Sequence, residues 1–268
     1  MKQVIVITGA SSGFGRLSAN ALARAGHTVY ASMRDTNGRN SAQVVDVAKF
    51  ARDNKVDLHA IELDVGSQAS ADTAIAQITA EQGRLDVVMH NAGHMSFGPA
   101  EAAFGGVDVL INNAGIMKLA KIADSDDALF DQQIAINLKG SFNAMREAAK
   151  RLRDGGRIVN FSTSVVGIKL ETYGVYAATK AAIETMTAIL SKEMRGRNIT
   201  VNAVAPGPVG TELFLNGKSQ ELIDHMAKMN PLQRLGMPQD IAATVSFLAG
   251  PDGGWINGQV LRANGGMV

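Results

Sequence analysis

Val4-Ile5-Val6-Ile7-Thr8-Gly9-Ala10-Ser11-Ser12-Gly13-Phe14-Gly15 is the stretch on which the fold turns. Its β-branched run reads as a first strand, Val4–Thr8. An alanine-rich run beyond Gly15 reads as a helix over Arg16–Ala25, closed by Gly26. Between the two, glycines let the backbone turn tightly, and without a Cβ they let a phosphate approach the helix N-terminus, where N–H groups and the dipole favour anions. A purely structural turn is the bland alternative. A strand before and a helix after favour a cradle for the pyrophosphate of a dinucleotide.

Outward from this unit, short β-branched runs alternate with helical stretches. Thr28–Ser32, Asp57–Leu63, Leu85–His90, Val107–Asn112, Arg157–Phe161 and Thr200–Val204 read as strands. Ser41–Asn54, Gln68–Glu81, Ala128–Arg153, Val175–Arg195 and Pro238–Leu248 read as helices. Such alternation predicts an α/β fold, a doubly wound parallel sheet with helices on both faces. No Ser/Pro-rich linker divides the 268 residues, so one domain over 1–268 is expected. A formal net charge of +1, with no run of like charges, points away from a nucleic-acid partner. With no cysteine there are no disulfides or thiolate metal sites, which suits a reducing cytoplasm. Met1–Ile7 is too short an apolar run for a signal peptide, and no stretch approaches the ~20 apolar residues of a membrane span.

The chemistry gathers in thirteen residues. Ser164 stands twelve positions before Tyr176, which opens Tyr176-Ala177-Ala178-Thr179-Lys180. A tyrosine and a lysine four apart share a helix face, so a phenol and an ammonium can converge. Free tyrosine has a pKa near ~10, and a neighbouring cation moves that value toward working pH. Ser164 can then hold a carbonyl or hydroxyl by hydrogen bond. A lone Tyr-x-x-x-Lys occurs by accident on many helices; its company in this chain gives it weight.

That company resembles the short-chain dehydrogenase/reductase family over nearly the whole chain. The matching motifs are Thr8-Gly9-x-x-x-Gly13-x-Gly15, Asp64-Val65 after the third strand, Asn-Ala-Gly after the fourth, Asn137 in Ile136-Asn137-Leu138, Ser164 in Ser164-Val165-Val166-Gly167, Tyr176-x-x-x-Lys180, and Pro206-Gly207 with Thr211. The resemblance implies a Rossmann-type sheet binding a nicotinamide cofactor, with hydride passing between its ring and a carbonyl or secondary alcohol. It makes Tyr176 the proton donor or acceptor and has Lys180 lower the Tyr176 pKa and bind the nicotinamide ribose. Ser164 would orient the substrate oxygen and Asn137 would hold a water in the proton relay. Thr8, Gly9, Ser11, Ser12, Gly13, Phe14 and Gly15 would cradle the cofactor, Asp64 and Val65 would meet its adenine, and Thr211 its carboxamide side. Asn91, Asn113, Ala114, Gly115, Pro206 and Gly207 would line the same ligand. Thr163, thirteen before Tyr176, competes for the hydroxyl role, but Val165-Val166-Gly167 aligns the motif on Ser164.

The end of the second strand bears on which cofactor. An NAD enzyme of this type usually carries an acidic residue there for the ribose hydroxyls. Ser32 takes that position, with Arg34 two further on. A serine and a guanidinium suit a 2′-phosphate, so NADP(H) is expected in preference to NAD(H). The alternative leaves Arg34 as a solvated charge and gives the ribose to Asp35.

Elsewhere the residues say less. His27, His59, His90, His94 and His225 lack ligand spacing, so no metal site is expected. The twelve methionines read as packing. Phe214–Gln233 lies where the family carries a substrate loop. Leu213, Phe214, Leu215, Leu222, Ile223 and Met226 would form its apolar wall, unless the segment is an ordinary amphipathic helix. Trp255–Val260 resembles the family's last strand, which with the middle helices commonly makes homo-dimer or homo-tetramer contacts.

One irregularity remains. Arg84-Leu-Asp-Val-Val-Met-His-Asn-Ala-Gly93 returns as Gly106-Val-Asp-Val-Leu-Ile-Asn-Asn-Ala-Gly115, offset by 22 residues. Two copies exclude a solenoid, and the family carries one strand of this kind, so the fourth strand is duplicated. Deleting one unit leaves about 246 residues, an ordinary family length. The chain thus looks like two family members, natural or engineered, joined out of register, with 1–103 resembling one N-terminal half and 104–268 a second C-terminal part. Either copy could fill the fourth position with the other extruded. Alternatively both are strands, joined by a short helix at Pro99–Phe104, which would shift the Ser164–Tyr176–Lys180 group one strand spacing, about 4.8 Å, from the cradle. The reading favours an undisplaced site. The contrasting one is a nucleotide-binding scaffold that turns nothing over.

Overall fold

The computed structural model describes residues 2–65, 67–89, 106–215 and 217–268. Asn91 and the Pro99–Phe104 segment lie outside them, as do the side chains of Phe14 and Leu213. The chain divides into two compact units, Met1–Ile111 with Arg151–Arg153, and Asn112–Lys150 with Asp154–Val268. The fold is α/β with parallel strands, as the alternation requires. Among the described residues the strands pair as two four-stranded sheets.

In the first unit, β1 (Val4–Ile7) pairs in parallel with β2 (Thr28–Met33) and with β4 (Val87–Met89), and β2 pairs with β3 (Leu58–Glu62). β1 and β2 are buried along their whole length because α1 (Gly13–Arg24), α2 (Ser41–Asn54) and α3 (Gln68–Gln82) carry the connections between strands. Val4, Val6, Tyr30, Ile61, Leu63, Ala74, Ile78 and Leu85 form one apolar cluster. Burying such side chains contributes about 1.5–3 kcal/mol each, which fixes strand register and so the position of the loop after β1. α1 begins at Gly13 rather than near Arg16, so Gly13 and Gly15 belong to its first turn.

Both copies of the duplicated segment are strands, and neither is extruded. The first supplies β4, the second β5 (Val107–Asn112). Their aspartates hold different partners. The Asp86 carboxylate accepts from Val4 N at 2.8 Å, whereas Asp108 pairs with Arg153 at 3.0 Å.

In the second unit, β7 (Thr200–Val204) is buried along its length, pairs in parallel with β6 (Leu152–Phe161) and with the two-residue β8 (Val260–Leu261). The helix expected over Ala128–Arg153 is three pieces: α4 (Asp127–Gln133), a π-helical stretch Ile134–Gly140, and α5 (Ser141–Arg151). Its last two residues, Leu152 and Arg153, already belong to β6. The wide turn centres on Asn137, fully buried, whose side chain bonds another segment. Such bulges recur at functional sites. α6 (Val165–Ile168), α7 (Gly174–Glu193), α8 (Glu212–Leu215), α9 (Gln220–Lys228) and α10 (Pro238–Ala249) complete the unit. Among the described residues no helix is long and apolar enough to cross a membrane.

Candidate active site

The cradle belongs to the first unit. Gly9 and Gly13 both have positive φ, 65° and 57°, where a side chain would be strained. Thr8 N donates to Met89 O at 2.9 Å and Ala10 N to Ser32 O at 2.8 Å, pinning the turn between two strand ends. At the N-terminus of α1, Ser12 makes no side-chain cap and the first turn has no acidic residue. A Cβ added at Gly13 would meet nothing within 4 Å. That is the geometry an anion at a helix N-terminus needs. Ser11 is half-buried, Ser12 exposed and Gly15 buried.

At the end of β2, Ser32 is fully buried and its hydroxyl has no partner, an orphan polar atom beside the turn. Arg34 is exposed. Asp35 is committed to its own turn, since its carboxylate accepts from Arg39 N at 3.0 Å. Asp64 N donates to the Ser70 hydroxyl at 2.9 Å, and Val65 packs against the apolar cluster. These residues fit a dinucleotide.

The residues expected to be catalytic, Asn137, Ser164, Tyr176 and Lys180, lie in the second unit, where the second copy supplies the Asn-Ala-Gly loop. A Cβ at Gly115 would approach the Asn137 carboxamide oxygen and Lys180 Nζ, each to 3.3 Å, so a side chain there would crowd both. Asn113 and Ala114 are half-buried. Asn137 Oδ1 accepts from Ile116 N at 2.8 Å, and Nδ2 donates to Ile116 O at 2.9 Å and Thr179 Oγ1 at 3.3 Å. Its side chain thereby sutures the π-helical turn to the loop.

One turn apart on α7, Tyr176 and Lys180 face the same side. Lys180 is 4% exposed, lies 6.0 Å from the centre of the Tyr176 ring, and donates to Phe161 O at 2.9 Å. Burial depresses its ammonium to about 8. The expected lowering of the Tyr176 pKa does not occur in this arrangement. Burial raises it, the Thr163 hydrogen bond opposes that, and Tyr173 nearby adds to the rise. The lysine cation is turned toward a carbonyl, so desolvation governs the phenol.

Ser164 is 1% exposed. Its N–H donates to Pro206 O at 2.9 Å, its hydroxyl donates to Ala205 O at 3.0 Å, and it accepts from Asn264 Nδ2 at 2.9 Å. Gly207 N donates to Ala263 O at 3.0 Å, and a Cβ there would press on Asn264 at 2.9 Å. Thr211 is buried, and its hydroxyl accepts from Phe214 N at 3.2 Å at the start of α8. α9 has no fully buried residue; Leu222 is exposed and Ile223 and Met226 half-buried.

Sequence reading missed the grip of Asn264 on Ser164, although an asparagine before Gly265-Gly266 was a visible turn signal. It also missed Asn112, buried, whose amide donates to Asn160 Oδ1 at 3.2 Å and to Ser141 O at 3.3 Å. At the equivalent position the first copy carries His90.

Residues 3–103 match the short chain dehydrogenase family, and residues 95–268 match the description "Enoyl-(Acyl carrier protein) reductase". A short-chain type dehydrogenase/reductase of Picea abies is 39% identical, over 99% of this chain and 92% of that protein. An NADPH-dependent aldehyde reductase-like chloroplastic protein of Arabidopsis thaliana is 37% identical, over 99% of this chain and 94% of its own. Among solved structures, an angucycline C-6 ketoreductase with bound NADP superposes with a TM-score of 0.72 at 25% identity, over 99% of this chain and 95% of the other.

Proposed function

The chain belongs to the short-chain dehydrogenase/reductase family, and from that premise we propose that it is an NADP(H)-preferring reductase of aldehydes or ketones acting through Tyr176 and Lys180. That it is an NAD(P)-dependent oxidoreductase working between a carbonyl and an alcohol follows from its relatives. The preference, the direction and the residues are the proposal, and one observation carries it: Lys180, buried, lies 6.0 Å from the centre of the Tyr176 ring and beside Gly115 and the buried Asn137.

The nicotinamide would supply hydride to the carbonyl carbon. Thr8, Gly9, Ser11, Ser12, Gly13, Phe14 and Gly15 would hold its pyrophosphate, Asp64 and Val65 its adenine, and Asn113, Ala114, Gly115, Pro206, Gly207 and Thr211 its nicotinamide end. A phenol raised by burial keeps its proton at neutral pH, so Tyr176 is poised as an acid, which suits reduction. Lys180 would bind the ribose and support the phenolate left behind. Asn137 would fix the loop and hold a water in the relay. Carbonyl reduction should therefore be flat below pH 8 and fall as pH rises through about 8, where Lys180 loses its charge. Initial rates from pH 6 to 10 test this.

The orphan Ser32 hydroxyl, the exposed Arg34 and the committed Asp35 support a 2′-phosphate at the end of β2. A hydrogen bond to a charged group contributes about 1.5–3 kcal/mol, so Arg34→Glu should lower kcat/KM for NADPH by about tenfold or more and leave NADH little changed. Equal losses with both cofactors would assign Arg34 to structure.

α9, amphipathic with its apolar side chains incompletely buried, is proposed as the substrate lid. Homo-dimer or homo-tetramer formation is part of the proposal, supported by Phe142 on α5 and Ile189 on α7, 45% and 51% exposed. So is a cytoplasmic location, which the absence of cysteine suits. The duplicated strand is proposed as the scar of two family chains joined out of register, 1–103 and 104–268. The separate family matches over 3–103 and 95–268, and the different partners of Asp86 and Asp108, support that origin.

A further inference from the structure

Asn264 is buried, and its carboxamide is bonded at both ends inside the second unit. Oδ1 accepts from Gly266 N at 3.0 Å and Met267 N at 3.2 Å, while Nδ2 donates to Val268 O at 3.3 Å and to Ser164 Oγ at 2.9 Å. Turned end for end, the amide would set its N–H groups against two other N–H donors, so the network assigns the orientation. The backbone that carries Asn264 is fixed by contacts that do not involve Ser164. Gly207 N donates to Ala263 O at 3.0 Å, and a Cβ on Gly207 would come to 2.9 Å from the Asn264 Cβ. Gly265, at φ 70°, lies so close to Asn230 that a Cβ there would reach its Oδ1 at 2.6 Å. Asn230 is itself buried and donates to Arg234 O at 2.9 Å. The donor aimed at Ser164 is therefore in place before any substrate arrives. Ser164 Oγ accepts that bond and donates its one proton to Ala205 O at 3.0 Å. The proton turns about the Cβ–Oγ bond, so it can pass from Ala205 O to the oxygen of a substrate while Oγ stays where it is. A donor on Oγ fixes that atom and, by drawing charge from it, strengthens the O–H as a donor.

Building on the reductase reading, with Ser164 as the hydroxyl that orients the substrate oxygen, we propose that Asn264 is the positioning residue for Ser164, holding Oγ in place and leaving the serine proton available to the carbonyl. Asn264 acts through Ser164 alone, and Ser164 keeps its proton while Tyr176 gives up its own. The site asks for a side chain that accepts at one end, from Gly266 and Met267, and donates at the other. Aspartate meets the first demand and reverses the second. Ionised, it accepts only and draws the Ser164 proton away from the substrate; protonated, it donates to Oγ again.

The test is steady-state kinetics of the full chain from pH 5 to 8, with NADPH and a carbonyl that the parent reduces, comparing the parent, Asn264→Asp, Ser164→Ala and the double variant, with thermal melts alongside. Ser164→Ala should lose about 10²–10³ in kcat, as when a donor to a developing oxyanion is removed. Asn264→Asp should keep the parent's thermal midpoint and NADPH affinity and lose about tenfold in kcat at pH 8. It should regain most of that toward pH 5, as its carboxyl, whose pKa burial raises, takes up a proton, while the parent stays flat. Added to Ser164→Ala, Asn264→Asp should cost nothing further, because two changes that act through one group do not add. If the aspartate lowers the melt, the same cycle run with Asn264→Ala decides. Parent kcat in Asn264→Asp at pH 8, a loss that pH does not move, or an equal loss with and without the Ser164 hydroxyl would overturn the assignment and leave the reductase reading standing. Full turnover in Tyr176→Phe, or none in the parent, would instead overturn the reading on which it rests.

Discussion

Replacing Tyr176 by phenylalanine should lower kcat for carbonyl reduction by about 10²–10⁴-fold, the range lost when a positioned general acid is removed, while NADPH affinity changes little. The side chain is held by α7 and packed edge-on against Tyr173, with ring centres 6.3 Å apart at 63°. Removing one oxygen therefore leaves the packing intact. Tyr173 carries the only neighbouring phenol among the described residues that touches this ring, and its pKa too is raised by burial. It lacks the Thr163 bond, so Tyr173→Phe is the control that should stay within a few-fold of the parent. Single-turnover rates at saturating NADPH, read as loss of nicotinamide absorbance, separate the two variants. A residual rate in Tyr176→Phe close to the parent's would mean that protonation comes from water or from another group.

Two 22-residue deletions should differ sharply. Removing residues 84–105 keeps the second copy, and removing residues 94–115 keeps the first. Asn112 donates to Asn160 Oδ1 and Ser141 O in a buried network in which Asn160 in turn donates to Thr187 Oγ1 at 2.9 Å. The first copy would bring His90 to that position, a larger side chain with different hydrogen-bonding geometry. An unsatisfied buried polar group costs about 1–3 kcal/mol, and forcing a larger ring into a packed site costs about as much again. The chain lacking 84–105 is expected to melt cooperatively and to reduce carbonyls at least as fast as the parent. The chain lacking 94–115 is expected to melt lower and to lose most of its activity. Thermal melts with kinetics on both shortened chains read the result, and equal behaviour would remove Asn112 as the discriminating contact.

Much of this was legible in the sequence because local chemistry dictated it. The run Val4–Ile7, Gly9 and Gly13 at positive φ, and the buried run Thr200–Val204 each depend on a few adjacent residues. The strand over Val107–Asn112 is found with the expected bounds. What periodicity could not show was long-range. The segment 128–153 reads as one helix because its apolar spacing is continuous, yet Asn137 reaches Ile116, twenty-one residues away, and the turn widens there. The direction of the Tyr176 shift differs from the expected one for a related reason. Spacing places a cation four residues on, but burial and the tilt of Lys180 toward Phe161 O are tertiary facts, and they decide the sign. The duplicated strand was visible as a repeat, while the pairing of each copy came only with the sheets.

The central claim is that this chain reduces a carbonyl with NADPH. Its most direct test is the stoichiometry of NADPH consumed to alcohol formed, measured for the whole chain against a panel of aldehydes, ketones and β-keto esters, with NADH run in parallel. The account predicts one alcohol per NADPH for at least one panel member and a slower reaction with NADH. Tight NADPH binding with no alcohol formed from any member would contradict it, and would describe instead a nucleotide-binding scaffold whose catalytic group is idle.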